Sequence, residues 1–177
     1  MTRVLRVFAC GAIAAVIQWP AHAYGQAASI DARVEISTTA LSIATVQDLD
    51  FGTVIPGSPT TLNPRNAATA GEFEVHGARG AEIMVTFTLP SFLVVGPHQM
   101  PISFGNTSGC HVPLLGGLRF FCSSFNPTVP LVTDIPNWGA PYNVRLFWLG
   151  GTVSPIPTQF PGLYRGVITL TAAYTGN

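Results

Sequence analysis

Lysine is absent from this 177-residue chain, and charge of either sign is scarce: 9% of residues are charged, with eight arginines against eight acids. Surfaces that track a phosphate backbone need clustered Lys and Arg, and these arginines are scattered, so no nucleic-acid partner is expected. Intrinsic disorder is excluded too, because 47% of the residues are hydrophobic and the net charge is zero. Helical periodicity is almost missing, and no apolar run approaches the roughly 20 residues that span a bilayer. The chain also lacks a G-x-S-x-G elbow and an H-E-x-x-H pair. Cysteine is sparse, with three residues in all.

What is present begins with a leader. Arg3 and Arg6 form a positive start, Val7 to Ile17 is an apolar stretch, and Ala21-His22-Ala23 supplies small residues for cleavage. Residues 1–23 therefore read as a signal peptide that engages the secretion machinery, with Tyr24 expected to open the mature chain. A lipoprotein leader is the competing pattern, but Cys10 precedes most of the apolar run instead of following it. Removal of the leader takes two arginines with it and leaves 154 residues, 24–177, with a net charge of −2. That length suits a single domain with its own core.

The mature chain keeps two cysteines, Cys110 and Cys122, and export would place them where disulfides persist, so a bridge between them is expected. His111 beside Cys110 does not complete a zinc-ligand pattern, and no metal or other cofactor is expected. Period-two alternation recurs along the chain. Ile30, Ala32, Val34 and Ile36 alternate with polar residues, as do Phe73 and Val75, and Val144, Leu146 and Trp148 follow the same rule. Ile83, Val85, Phe87 and Leu89 read as a strand stopped by Pro90, which cannot donate to a ladder. Ile168, Leu170, Ala172 and Tyr174 read as a long strand near the C-terminus. Turn signals such as Pro56-Gly57, Asn63-Pro64, Gly96-Pro97 and Pro155 to Gly162 separate these runs. The pattern predicts an all-β, antiparallel β-sandwich. Gly105 to Pro141, with five prolines, is the least regular stretch and reads as a long loop or a hairpin pinned by the bridge.

Leu49-Asp50-Phe51-Gly52, Pro56-Gly57, Gly71-Glu72-Phe73-Glu74-Val75-His76-Gly77, Leu89-Pro90 and Gly162-Leu163-Tyr164-Arg165-Gly166 through Tyr174 occur in that order. Together they resemble a bacterial domain-of-unknown-function family of secreted, pilin-like proteins, related in plan to spore-coat-U-like and chaperone–usher pilus subunits. The resemblance runs from about Ile30 to Tyr174. It implies an immunoglobulin-like sandwich exported to the periplasm or cell surface, with self-association or other pilin-like subunits and a periplasmic chaperone as partners. In that architecture a subunit lacks one strand, and the N-terminal extension of the next subunit fills the gap. Ile30, Ala32, Val34 and Ile36 form the candidate donor, followed by a polar Ser37-Thr38-Thr39 hinge. Pairing of the same segment inside its own subunit stands beside this reading.

The C-terminal strand, with Gly162, Tyr164, Ile168, Leu170, Ala172 and Tyr174, is the candidate assembly strand. Pilins of that kind resemble one another in placing a Gly twelve residues before a penultimate Tyr that the chaperone recognises. Gly162 and Tyr174 have that separation, but Thr175-Gly176-Asn177 follow Tyr174, which weakens the match. The cysteines depart as well, lying mid-chain and not on the first strands. Tyr164 is expected to pack and to fix a corner by a hydroxyl-to-backbone bond.

An enzyme is not expected. His76, His98 and His111 fall in or beside strands and turns, and Asp48 and Asp50 lie near a turn where solvated aspartates are common. The alternative to a pilin-like subunit is a monomeric secreted sandwich that binds a surface ligand such as a glycan. Trp148 is in phase with Val144 and Leu146 and is expected in the core, so Trp138 in the irregular stretch is the candidate ligand-stacking residue. Asn106-Thr107-Ser108 matches a glycosylation sequon, a short pattern that recurs by chance.

Overall fold

Alternating β-branched and aromatic side chains, interrupted every few residues by Gly or Pro, leave the backbone to satisfy its hydrogen bonds between strands. The computed structural model describes residues 39–113, 119–137 and 143–176. Strands make up 46% of it and helix 2%. In chain order they are β1 (Ser42–Gln47), β2 (Thr60–Leu62), β3 (Gly71–His76), β4 (Glu82–Thr88), β5 (Phe92–Val95) and β6 (His98–Ser103). After them come β7 (Gly109–Val112), β8 (Ser123–Phe125), β9 (Leu131–Asp134), β10 (Val144–Leu149), β11 (Gly151–Val153) and β12 (Thr169–Tyr174). Among the described residues a single 3-10 turn covers Arg119–Phe121.

All strand pairs are antiparallel, and three sheets result: β1-β3-β10-β7-β8, β12-β4-β9 and β2-β11-β6-β5. The first two face one another as an antiparallel β-sandwich, the fold class that the alternation predicts. Phe73 and Val75 of β3 and Phe147 and Leu149 of β10 pack with Ile83 and Val85 of β4, Leu170 of β12 and Phe125. Burial of each large side chain contributes about 1.5–3 kcal/mol. Phe87 stacks on Phe125 with ring centroids 5.7 Å apart, and Phe125 meets Phe147 edge to face at 6.1 Å.

Strand β10 is buried on both faces. Its second row, Val144, Leu146 and Trp148, joins Cys110, Val112 and Cys122 on the far side of the sheet. Trp148 is buried, as its phase predicts, and its indole N–H has no hydrogen-bond partner among the described residues. The Arg119 guanidinium lies over that ring, 4.8 Å from its centroid, and pairs with the carboxylate of Glu72.

The third sheet grows out of the first two. Strand β10 runs through Gly150 into β11, and β4 runs through Leu89-Pro90-Ser91 into β5, so β2-β11-β6-β5 bridges the two walls at one end. A side chain at Gly150 would collide with the Leu62 carbonyl. Of the two readings of Gly105 to Pro141, the described residues bear out the pinned hairpin and add a further strand. That stretch carries β7, β8 and β9, and the Cys110–Cys122 disulfide, with Cα atoms 5.6 Å apart, pins the β7–β8 hairpin.

Candidate functional site

In an antiparallel pair, residues opposite one another point to the same side of the sheet. Ile43 of β1 lies opposite Val75, and Thr45 lies opposite Phe73. Val75 is fully buried in the sandwich core, yet Ile43 is 41% exposed although it faces the same way. The difference is coverage. Among the described residues β1 is an edge strand paired only with β3, and β12, the edge of the opposite sheet, pairs only with β4. The core therefore opens along the flank between these two edges.

At one pole the flank is shut. The Tyr174 hydroxyl donates to the Thr39 carbonyl at 2.8 Å and accepts from the Ala78 N–H at 2.7 Å, tying the end of β12 to the start of β1. Gly77 completes this closure, because a Cβ there would press on Leu41 and on the Tyr174 hydroxyl. Towards the other pole the flank widens into a groove of about 1390 Å³. Its floor is apolar and buried, with Phe73, Leu149, Val153, Met100 and Ile102. Half-buried Phe51, Leu93 and Ile168 form the walls, and the exposed side chains of Phe92, Val94, Phe160, Leu163 and Val167 form the lips.

Local chemistry sets the rim. A shift of register between Thr45 and Gln47 bulges β1 where it enters the groove wall. Asp50 accepts from the Gly52 N–H at 2.8 Å and forms a tight turn, so this carboxylate is occupied in shaping backbone. Ile55-Pro56-Gly57-Ser58 is a β-turn closed by the Ser58 N–H to the Ile55 carbonyl, with Pro56 and left-handed Gly57 (φ +77°) at its centre. The Gly57 N–H then bonds the Pro155 carbonyl and joins this loop to the one after β11. Tyr164 makes the expected corner bond, its hydroxyl donating to the Phe160 carbonyl at 2.9 Å. The Arg165 and Val94 backbones exchange two hydrogen bonds, which carry the approach to β12 along the edge of β5.

The candidate residues read from sequence divide accordingly. Gly162, Tyr164 and Ile168 line the groove, Leu170 and Ala172 continue into the core, and Tyr174 closes the far pole. The Tyr174 hydroxyl is thus committed within its own molecule. Ile30, Ala32, Val34, Ile36, Trp138 and the leader lie outside the described residues. Sequence reasoning missed β1 and the lip residues Phe160 and Leu163; the alternation of Leu41, Ile43 and Thr45 with Ser42 and Ala44 was the available signal for β1.

The three described histidines, His76, His98 and His111, do not converge. His98 stacks on Phe160 at 4.1 Å, and His76 pairs with Glu74. His111 stacks on Phe147 inside the sandwich, where its Nδ1 lies 3.1 Å from the buried Arg145 guanidinium. Arg145 also donates to the carboxylate of Asp134 at 3.0 Å. Burial first and Arg145 second hold the His111 pKa at about 4, with Asp134 pulling the other way. Burial likewise lowers the Arg145 pKa against the pull of Asp134. Among the described residues no group of three or more His, Cys, Asp or Glu is placed to hold a metal, and no helix is long and apolar enough to cross a membrane. Asn106 accepts from the side chain of Asn126. No family model matches this chain, and no curated protein matches it.

Proposed function

We propose that this protein is a secreted structural protein of the periplasm or cell surface, a pilin-like subunit that assembles when a strand from another copy fills the flank between β1 and β12. The observation that carries the reading is the exposure of Ile43 beside fully buried Val75, the mark of a sandwich one strand short on that side. Among the described residues β1 and β12 each pair on one side only, which supports β-augmentation there, and the apolar floor offers pockets for alternate side chains. The groove also exceeds the roughly 300–1,000 Å³ of small-molecule sites, which suits a peptide strand better than a small ligand.

The occupant is the segment from Ile30 to Ile36. Extended, it spans about 20 Å, close to the length of β12. Ile30, Val34 and Ile36 would each contribute roughly 1.5–3 kcal/mol when buried, less the cost of ordering the segment. The disulfide between Cys110 and Cys122 is compatible with an oxidising compartment. A periplasmic chaperone, implied by the family resemblance, would cover the same flank before assembly. Nothing in this reading requires catalysis.

The test is assembly of the mature chain, residues 24–177. It is expected to form oligomers that grow with concentration on gel filtration, and Val34→Asp is expected to weaken them about a hundredfold or more, since a carboxylate cannot enter an apolar floor unpaired. A wild-type protein that stays monomeric at high concentration, and whose stability does not change when Ile30 to Ile36 is deleted, would overturn the proposal. That outcome would favour the self-complete, ligand-binding sandwich, for which Trp138→Ala on a glycan array is the next measurement.

A further inference from the structure

Phe160 and Leu163 stand where burial would pull them in. They are 49% and 68% exposed on the lip of the groove, and they share its lining with the apolar floor of Met100, Ile102 and Val153. Removing large apolar side chains from water is favourable, so an unsupported lip would fold inward and cover that floor. The polar contacts of one side chain hold it out.

Gln159 is half-buried and belongs to the groove lining. Its backbone N–H closes a turn onto the Ile156 carbonyl at 3.0 Å, with Pro157 inside the turn. Its side-chain oxygen accepts from the Ile156 N–H at 3.2 Å, while its amide nitrogen donates to the Gln99 carbonyl of β6 at 3.0 Å and to the Tyr164 hydroxyl. Both donors of the amide are thereby used. Tyr164 in turn donates to the Phe160 carbonyl at 2.9 Å, and its ring packs with Met100, Ile102 and Val153. The His98 ring of β6 lies flat on Phe160, with planes 8° apart. One glutamine therefore joins the start of the lip, its end and the neighbouring strand.

Resting on the strand-insertion reading, we infer that Gln159 is a positioning residue for strand uptake: acting through Tyr164 and Phe160, it keeps the 156–164 lip off the groove floor before any strand arrives. It does this without touching the strand itself. Pre-organisation of this kind removes a cost that binding would otherwise carry. Where only a fraction of the molecules is open, the apparent affinity falls by that fraction. Gln159 thus sets how readily a strand is taken up, while the apolar floor supplies the contacts that retain it.

The experiment uses the mature chain carrying Val34→Asp, whose own donor is disabled, and a labelled synthetic peptide of residues 28–38. Gln159→Ala is expected to lower peptide affinity about tenfold. Its association rate is also expected to level off as peptide concentration rises, because opening of the lip then precedes binding. A role in folding alone would lower the melting temperature and leave the rate linear in peptide. Tyr164→Phe removes the hydroxyl and keeps the ring in the floor cluster. It is expected to act in the same direction, and the double variant to lose little more than the larger single effect, as members of one network do. Should Gln159→Ala not fold, Gln159→Glu, which keeps the acceptor and removes both donors, is held to the same criteria. Unchanged affinity and linear kinetics in the Gln159 variant, in a background that binds the peptide, overturn the positioning role and leave the groove reading standing. Additive losses in the double variant overturn it too, since the two side chains would then act separately. A background protein that binds no peptide, with a wild type that does not polymerise, removes the groove reading and the role of Gln159 with it.

Discussion

His111 and Arg145 set a pH limit on this molecule. Arg145 is buried, and one of its nitrogens faces His111 Nδ1, which must stay unprotonated to accept. The groups that bear on the ring are Arg145 of β10 and Asp134 of β9. Because the folded pKa of about 4 lies below the ordinary 6.5, the unfolded chain takes up a proton that the folded one refuses. Stability is therefore complete above about pH 6.5 and is lost as pH falls towards 4, by at most about 2 kcal/mol once partial exposure of the ring is allowed for. His111→Gln is expected to remove this component. Urea titrations of both proteins from pH 7 to pH 4 check it, and a wild-type-minus-variant difference that does not change with pH refutes it. None of this was legible in the sequence, where His111 is a neighbour of Cys110 and Arg145 is one polar position in an alternating strand. The cluster exists only because β7, β9 and β10 bring three distant residues to one point.

Elements were legible where one face is dry and the other wet. Strands β3, β4 and β12 alternate in sequence because sheet and solvent alternate around them, and Pro90 ends the β4 run as its missing N–H requires. Strands β2, β8 and β11, three residues each, are too short to display a period. Strand β1 escaped for another reason: all of its residues but Gln47 are exposed, so burial leaves little imprint on it. In the irregular stretch the sequence left a loop and a disulfide-pinned hairpin side by side, and the β7–β8 pairing across the Cys110–Cys122 bridge is the second of these. The Cys110→Ser, Cys122→Ser double variant is expected to lose about 3 kcal/mol, by the loop-entropy argument for a separation of 12 residues. Thermal melts of the oxidised wild type and the variant measure this. A change under about 0.5 kcal/mol would mean that the hairpin closes without its covalent tie.

At the scale of the whole molecule, an apolar groove and a chain with so few charges make one further expectation. Assembly through buried hydrophobic side chains should respond little to ionic strength, whereas assembly through charged faces weakens steeply as salt screens it. Light scattering of the mature chain at about 50 and 500 mM salt is expected to give the same size distribution within about twofold. A collapse of polymers at the higher concentration would point to an electrostatic interface.

The amino-acid pattern by itself determined the class of this protein, because alternation and turn residues act locally and need no partner to be read. It also determined that two mid-chain cysteines would find each other. The open flank was decided only by tertiary structure. Whether Ile43 is covered depends on how far the β12-β4-β9 sheet extends over its partner, and that is a property of two strands more than a hundred residues apart. The sealed pole has the same origin, since Tyr174 can fasten Thr39 only after both sheets have formed.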